Sequence, residues 1–256
     1  MFPSFSIFGI DLYQIMIVIG FLFALITFRL LSEKIDIPIK VYNFALLCAL
    51  ASTVLGFFFG AFFQAIYNYL ATKNFAFGNG MTFYGGLIGA IVCFFLLYFI
   101  IGKAIFKDRS HIKMFAAIVN LLFIAIIIAH AFGRIGCLLV GCCYGKLTDS
   151  PLGIVISVNG VKEKRIPVQL YEALFLFLLY GINVFLLLKK RFKYGTSLYF
   201  IAYGLWRFGI EFWRDDDRGS TILAILTPSQ LSAVIFILVG IFTLCIFRRK
   251  EVWPHE

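Results

Sequence analysis

The chain has 256 residues, of which 62% are hydrophobic and only 14% charged, and its mean hydropathy is +0.96. This composition is too apolar for a water-soluble domain of this size and predicts an integral membrane protein. The net charge of +10 is typical of cytoplasmic loops beside anionic lipid, so we do not expect a nucleic-acid-binding protein. The apolar runs reach the roughly 20 residues that a membrane-spanning helix needs and lack the alternation of barrel strands.

Seven apolar spans follow one another and predict an all-α polytopic membrane protein with seven transmembrane helices. The first span is preceded by no basic residue and followed by no obvious cleavage site, so we interpret it as a retained helix and not as a signal peptide. The predicted spans are Asp11–Leu31, Tyr42–Leu70, Tyr84–Phe106, Phe115–Leu139, Gln169–Leu188, Ser197–Phe212 and Gln230–Phe247.

Basic residues concentrate in the odd-numbered loops and in the C-terminal tail. Loops rich in Lys and Arg stay in the cytoplasm, so we predict the N-terminus outside and the C-terminus in the cytoplasm. The fourth loop, about residues 140–168, is also basic and departs from this rule. Its Ile154–Val158 run, followed by Asn159 and Gly160, resembles a β-hairpin, so we interpret the loop as a small outward-facing cap. We expect a single domain over residues 1–256.

Within the fourth predicted span, Arg134 follows an apolar run, residues 118–129, in which Asn120 is the only polar residue. A central arginine costs about 2.5–3.5 kcal/mol on insertion scales, so it is kept where it faces the protein interior and meets an anion. Arg134 lies between Gly133 and Gly136, and glycine lets another group approach the backbone closely. We therefore predict an anionic ligand at Arg134. His130 lies one turn earlier on the same face, and we favour a packed histidine there over a base.

A polar stripe runs along one face of the sixth predicted span. Its members recur at spacings of four, four and three residues, which places them on one side of a helix. They are Tyr203, Arg207, Glu211 and Arg214. A structural ion pair explains Arg207 with Glu211, but together with Arg134 the arginines outnumber that carboxylate. Unbalanced positive charge in a bundle indicates a bound anion, and an anion open to lipid is most simply a phospholipid head group.

Two further segments carry patterns whose role the sequence leaves open. Gln169 and Glu172 share a face at the start of the fifth span, either as a capped helix end or as part of the site. Gly85 and Gly86 follow turn chemistry at the entrance of the third span, where backbone amides can bind an anion. The Gly56-x-x-x-Gly60 pair is best explained by close helix packing.

Three of the six cysteines are clustered, at Cys137, Cys142 and Cys143. A metal site wants four ligands at suitable spacing, and the adjacency of Cys142 and Cys143 disfavours tetrahedral geometry. A disulfide would suit an oxidising outer face, and a covalent thiol relay is the least favoured alternative. We favour packing of small residues and expect neither a metal nor another cofactor.

Four motifs in sequence order resemble the prolipoprotein diacylglyceryl transferase family, and the resemblance covers nearly the whole chain. Residues 84–89 resemble the family's His-Gly-Gly-Leu-Ile-Gly segment, and residues 133–136 resemble the beginning of its signature. Residues 167–172 match Pro-x-Gln-Leu-Tyr-Glu. Residues 203–207 and 211–214 match Tyr-Gly-x-x-Arg and Glu-Phe-x-Arg.

The resemblance implies a multi-pass enzyme of the bacterial cytoplasmic (inner) membrane. It would transfer diacylglyceryl from phosphatidylglycerol to the lipobox cysteine thiol of a prolipoprotein signal peptide and release glycerol phosphate. The leaving phosphate needs positive charge and the thiol must lose a proton. Arg134 and Arg207 would bind the phosphate, and Tyr203 would donate a hydrogen bond beside Arg207. Substrate-binding or orienting roles are implied for Gly85, Gly86, Gly145, Gln169, Glu172, Glu211 and Arg214.

The sequence departs from the family's pattern at three positions. Tyr84 replaces the usual histidine, Cys137 the usual asparagine and Cys142 the usual acidic residue. Tyrosine is a poor base at neutral pH because its unperturbed pKa is about 10. Either the histidine is dispensable, or Tyr84 replaces it as a catalytic residue beside an arginine, or the activity has changed; His130 is an alternative base. A paralogue acting on another lipid or acceptor, and a non-enzymatic membrane anion or lipid binder, remain alternatives.

Overall fold

The structure is a computed structural model that describes residues 6–7, 10–73, 75, 77–78, 80–158, 161–215, 226–248 and 252–253. Most of these residues are helical. The helices are α1 (Leu12–Lys34), α2 (Ile39–Thr72), α3 (Phe83–Leu96), α4 (Gly102–Ile105), α5 (Ser110–Lys113), α6 (Phe115–Val140), α7 (Val168–Lys190), α8 (Gly195–Ile210) and α9 (Pro228–Arg248). A π-helical turn, Leu97–Ile101, joins α3 to α4, and a 3₁₀ turn, Glu211–Trp213, extends α8.

Two short antiparallel hairpins accompany the helices. The strands are β1 (Ser6–Ile7), β2 (Ile10–Asp11), β3 (Ile154–Val158) and β4 (Val161–Arg165). β1 pairs with β2 immediately before α1, and β3 pairs with β4 so that Ile154 lies opposite Arg165. The second hairpin confirms the one predicted in the fourth loop, although Asn159 and Gly160 lie outside the described residues. The first hairpin was not predicted, because its two-residue strands are too short for an alternating pattern.

Among the described residues, six helical segments are long and apolar enough to cross a membrane. They are α1, α2, the continuous Phe83–Ile105 segment, α6, α7 and α9. Each agrees with a predicted span to within a few residues, because a long apolar run fixes the existence of a span better than its ends. α8 corresponds to the remaining predicted span, but it has only 16 residues. The chain is therefore a mostly helical polytopic membrane protein with six candidate spans.

The described contacts divide the chain into two compact units, Met1–Ile35 with Val119–Glu256, and Asp36–Ile118. In the second unit, α2 and α3 cross closely at Gly56. A β-carbon added there would lie 2.8 Å from the Ala90 β-carbon and 3.0 Å from the Gly86 carbonyl oxygen. Helix packing therefore accounts for the small residues on α2.

In the first unit, α1 packs against the end of α6 that carries Arg134. A β-carbon at Gly136 would lie 2.9 Å from the Tyr13 ring, and one at Gly20 would lie 2.9 Å from the Phe132 β-carbon. The close approach that we predicted beside Arg134 is thus, at Gly136, an approach by another helix. This packing holds the arginine-bearing turn of α6 in place.

Asn120, the lone polar residue of its apolar run, fixes the beginning of α8. Its Oδ1 accepts hydrogen bonds from the Thr196 backbone N–H at 2.8 Å and from the Thr196 hydroxyl at 3.3 Å. The first amides of a helix have no partner within the helix, so a side-chain oxygen that accepts from them stabilises its start. These hydrogen bonds fix the position of α8 along α6 at the Asn120 end. They therefore determine which polar side chains lie opposite one another further along the two helices.

Candidate functional site

Glu172 lies at the centre of a buried polar network formed by α6, α7 and α8. Its Oε1 accepts a hydrogen bond of 2.7 Å from the Tyr203 hydroxyl and lies 3.1 Å from Arg134 Nη2. Arg207 also interacts with it electrostatically. An uncompensated charge buried at this depth would cost several kcal/mol, so the positive groups are what keep the carboxylate there. Glu172 is fully buried, and the start of α7 is therefore not a simple interfacial helix end.

His130 is held between two tyrosines. Its Nδ1 lies 3.2 Å from the Tyr199 hydroxyl, and its Nε2 lies 3.5 Å from the Tyr203 hydroxyl. Because Tyr203 donates to Glu172, its oxygen can accept from Nε2–H, which leaves Nδ1 to accept from Tyr199. A neutral imidazole satisfies both contacts, in agreement with a packed and hydrogen-bonded histidine.

The second half of the stripe on α8 forms its own ion-pair group. Arg207 Nη2 donates to the Ser229 hydroxyl at 2.7 Å and lies 3.0 Å from Glu211 Oε2. Arg214 Nε lies 3.8 Å from the same carboxylate oxygen. The Thr227 hydroxyl donates to Glu211 Oε1 at 2.9 Å. The predicted pair of Arg207 and Glu211 is thus present, and Glu211 contacts both arginines.

Among the described residues, the ion pairs of this network involve three arginines and two carboxylates. Arg134, Arg207 and Arg214 face two carboxylates, Glu172 and Glu211, so the single carboxylate counted along the sequence was an underestimate, because the second comes from a different helix. Arg134 Nε and Arg207 Nη1 are buried and have no hydrogen-bond partner among the described residues. Buried donors are normally paired, so these two indicate an additional acceptor.

Gly145 lies where three backbone segments meet. Its N–H donates to the Ile166 carbonyl at 2.9 Å, and it forms a β-bridge with Arg214. A β-carbon at Gly145 would lie 2.7 Å from the Trp213 carbonyl oxygen and 2.8 Å from that of Ile166. The close approach expected at this glycine is therefore made by neighbouring backbone. Nearby, the Gln169 side chain donates to the Cys142 carbonyl at 2.5 Å.

Arg165, at the end of β4, ties this junction together, and sequence reasoning gave it no role. Its Nη1 donates to the Gly145 carbonyl at 3.2 Å and to Asp215 Oδ2 at 2.7 Å, while Nε donates to Glu163 Oε2 at 2.7 Å. The guanidinium also stacks over the Tyr144 ring, 4.5 Å from its centroid. Burial alone would lower the pKa of Arg165, but the hydrogen bonds to Asp215 and Glu163 raise it.

The three clustered cysteines come together beside this site. The sulfurs of Cys137, Cys142 and Cys143 all lie within 4.8 Å of one another, and none forms a disulfide. Hydrogen bonding with the other two thiols, together with burial, raises the pKa of Cys142. A thiol that stays protonated is a weak nucleophile, which argues against a covalent relay through this residue.

Three of the predicted site residues belong to the second unit, at the beginning of α3. The Tyr84 side chain is about half exposed, at 47%. A β-carbon at Gly85 would lie 2.8 Å from the Phe63 β-carbon, and one at Gly86 would lie 3.0 Å from the Gly56 carbonyl oxygen. The crossing of α2 and α3 accounts for both glycines, whereas about half of the surface of Tyr84 is left exposed.

Comparison with known proteins identifies the family. The family model described as prolipoprotein diacylglyceryl transferase matches residues 2–246. The chain is 36% identical over 182 residues to the phosphatidylglycerol–prolipoprotein diacylglyceryl transferase of Clostridium tetani, which covers 68% of this chain and 67% of that relative. It is 35% identical over 171 residues to transferase 2 of Clostridium perfringens, covering 64% and 60%.

A further relative matches over nearly its full length. The phosphatidylglycerol–prolipoprotein diacylglyceryl transferase of Finegoldia magna is 30% identical over 264 residues, which covers 99% of this chain and 98% of the relative. The family match includes both compact units and every segment on which the sequence resemblance rested. The chain therefore belongs to the prolipoprotein diacylglyceryl transferase family.

Proposed function

We propose that this chain transfers the diacylglyceryl group of phosphatidylglycerol to the lipobox cysteine of prolipoproteins, the reaction for which its relatives are named. The thiol sulfur bonds to the glyceryl carbon, the bond from that carbon to the phosphate oxygen breaks, and glycerol phosphate leaves with the electron pair. The observation that carries the proposal is the pair of arginines Arg134 and Arg207, each with a buried nitrogen that lacks a hydrogen-bond partner among the described residues.

Arg134 and Arg207 are the proposed phosphate-binding residues. Each guanidinium is held on one side by a carboxylate, at 3.1 Å from Glu172 and 3.0 Å from Glu211. The remaining donors, Arg134 Nε and Arg207 Nη1, would bind the phosphate, whose charge grows as the carbon–oxygen bond breaks. Guanidinium suits this task because its planar donors match phosphate oxygens. Tyr203, one turn before Arg207, would turn its single hydroxyl proton from Glu172 to the phosphate when the lipid binds.

The other polar residues of the network are proposed as positioning residues. Glu172 orients Arg134 and Tyr203, because the same oxygen contacts both. Glu211 orients Arg207, and Arg214 balances the charge of Glu211. Gln169 would bind substrate at the edge of the site, where its side chain donates a hydrogen bond to the Cys142 carbonyl. Gly145 would allow the backbone junction that surrounds this edge.

Two residues are candidates for removing the thiol proton. Tyr84 is half exposed and stands where the family has its histidine. We therefore propose that it contacts the incoming signal peptide, whose cysteine carries the thiol proton. His130 is the alternative base, but its two ring nitrogens already face tyrosine hydroxyls. The contacts with Tyr199 and Tyr203 favour a positioning role for His130. Tyr84 is therefore the first candidate for the residue that removes the thiol proton.

We propose seven spans, with the N-terminus outside and the C-terminus in the cytoplasm of a bacterial inner membrane. Trp253, after α9, donates to the Arg191 carbonyl after α7, so these two helices end on the same side. This contact supports a path in which α8 runs back between them. Its 16 residues and the three residues of the following 3₁₀ turn span roughly 30 Å, the thickness of the hydrocarbon core. The family match from residue 2 to residue 246 supports a single functional domain.

A reconstituted transfer assay tests the proposal. Purified protein in vesicles of phosphatidylglycerol with labelled acyl chains is mixed with a lipobox peptide, and labelled peptide is measured. We expect Arg134→Ala and Arg207→Ala each to lower the rate by at least about 10²-fold, as for removal of one donor to a developing anion. Arg29→Gln is the matched control, because Arg29 is partly exposed and pairs with Glu33 on α1.

The outcomes separate the alternatives. Labelled peptide from the wild type, lost in both site variants and kept in Arg29→Gln, supports the transferase. Transfer that occurs only with another lipid or acceptor would identify a paralogue of different specificity. A folded protein that binds phosphatidylglycerol but labels no acceptor would be a membrane lipid binder, and the proposed function would be wrong.

A further inference from the structure

The end of α6 folds its three cysteines together by a defined helix-termination motif. The Cys142 N–H donates to the Cys137 carbonyl at 3.1 Å, and the Gly141 N–H donates to the Leu138 carbonyl at 3.2 Å. Gly141 has a φ of +74°, and this left-handed residue reverses the chain, which is the hydrogen-bond pattern of a Schellman motif. The motif returns Cys142 to the turn that carries Cys137.

Cys143 adds the third sulfur from an uncommon backbone conformation. Its φ is +62°, a left-handed value that is unfavourable for a residue with a β-carbon. If the motif served only to pack a small side chain against Cys137, Cys142 alone would be enough and Cys143 would not have to adopt this conformation. The left-handed conformation of Cys143 brings its sulfur to the other two, so that all three sulfurs lie within 4.8 Å of one another.

We propose that Cys137, Cys142 and Cys143 bind a thiophilic d¹⁰ cation, Zn²⁺ or Cu⁺, which displaces the three thiol protons to solvent and is held by the three thiolates. Thiolate ligands select these ions over Mg²⁺ or Ca²⁺. Sulfurs about 2.3 Å from a zinc ion are roughly 3.8 Å apart, so the observed spacing needs only a small inward movement. Three thiolates satisfy Cu⁺, whereas Zn²⁺ would take a water molecule on the more open side, at Cys142.

The surroundings suit such an ion. Three thiolates with one monovalent or divalent cation keep a net negative charge, and Arg134 interacts electrostatically with Cys137. Tyr13 lies within electrostatic range of all three thiols, and its ring packs beside Gly136, next to Cys137. Gln169 holds the Cys142 carbonyl, so a bound ion would also fix the loop next to α7. This site does not depend on the proposed transfer reaction.

Metal retention by the purified full-length protein tests the site. Reduced protein is incubated anaerobically with Zn²⁺, Cu⁺ or Mg²⁺ in separate samples and desalted, and bound metal is then measured by mass spectrometry. We expect about one equivalent of Zn²⁺ or of Cu⁺ per chain, no Mg²⁺, and a higher unfolding temperature in the loaded sample. The two separate samples distinguish the two ions. Co²⁺ loading should give a thiolate charge-transfer band in the near ultraviolet.

Matched cysteine variants complete the test. Cys142→Ser and Cys143→Ser should each lose the metal and the cobalt band. A Cys93→Ala, Cys245→Ala double variant should keep both, because these residues lie on α3 and α9 and do not belong to the cluster. Equal retention in the cluster variants, no retention by folded wild type, or a disulfide between two of the three in protein alkylated during cell lysis would overturn the proposal.

Discussion

At the scale of single residues, Glu172 connects two groups on different helices, Arg134 on α6 and Tyr203 on α8. It neutralises Arg134 and orients Tyr203 through one oxygen, Oε1. Its other oxygen, Oε2, is buried without a hydrogen-bond partner among the described residues. A charge buried in this way is sensitive to the loss of either partner, because the group left behind keeps its desolvation cost.

A double-mutant cycle measures the coupling between Glu172 and Arg134. Glu172→Gln and Arg134→Gln should each destabilise the protein by about 3–5 kcal/mol, since each leaves one buried charge unpaired. The double variant should be more stable than the sum of the single effects predicts, by about 0.5–3 kcal/mol. Thermal unfolding in detergent provides the measurement, and strictly additive effects would show that the ion pair does not contribute.

The role of His130 can be tested by the pH dependence of transfer. A general base contributes about 10²–10⁴-fold to a rate, whereas a positioning residue leaves the shape of the pH–rate profile unchanged. We expect His130→Asn to lower kcat by less than about 10²-fold with an unaltered profile, and Tyr84→Phe to cause the larger loss. An acidic limb that disappears in His130→Asn would instead identify the histidine as the base.

At the scale of elements, the backbone junction at Gly145 makes a prediction about stability. Gly145→Ala would place a β-carbon 2.7 Å from one carbonyl oxygen and 2.8 Å from another, so we expect a loss of about 1–3 kcal/mol from overpacking. Gly181→Ala on α7 is the control, because nothing lies within 4 Å of its added β-carbon and alanine favours the helix by about 0.5–1 kcal/mol. Equal unfolding temperatures for the two variants would contradict the junction.

The sequence predicted elements better than it predicted contacts between them. Long apolar runs marked the six candidate spans and α8, and the Ile154–Val158 pattern marked a hairpin, because both signals are local. The spacing on α8 also placed Tyr203, Arg207 and Glu211 on one face. The junction of Arg165 with Asp215 joins residues that are distant in the chain, so no periodicity could indicate it. The same holds for Asn120 at the start of α8.

At the scale of the whole molecule, α8 decides which side of the membrane the C-terminus reaches. Epitope tags can be inserted between α4 and α5, between β3 and β4, and at the C-terminus. In intact spheroplasts we expect antibody to bind only the tag between the strands, because the other two follow basic cytoplasmic segments. All three tags should bind after permeabilisation. Binding of the C-terminal tag in intact spheroplasts would mean that α8 does not cross.

The π-helical turn Leu97–Ile101 gives the third span an unusual dependence on chain length. Buried positions on α3 are four residues apart, at Gly85 and Gly89, and those beyond it are again four apart, at Tyr98 and Gly102. A π turn holds one residue more than an α turn, which sets the phase between these two pairs. Deleting one residue there would rotate Tyr98 away from the His111 carbonyl, to which its hydroxyl donates at 2.8 Å. We therefore expect this turn to tolerate an exchange of side chains better than the insertion or deletion of a residue.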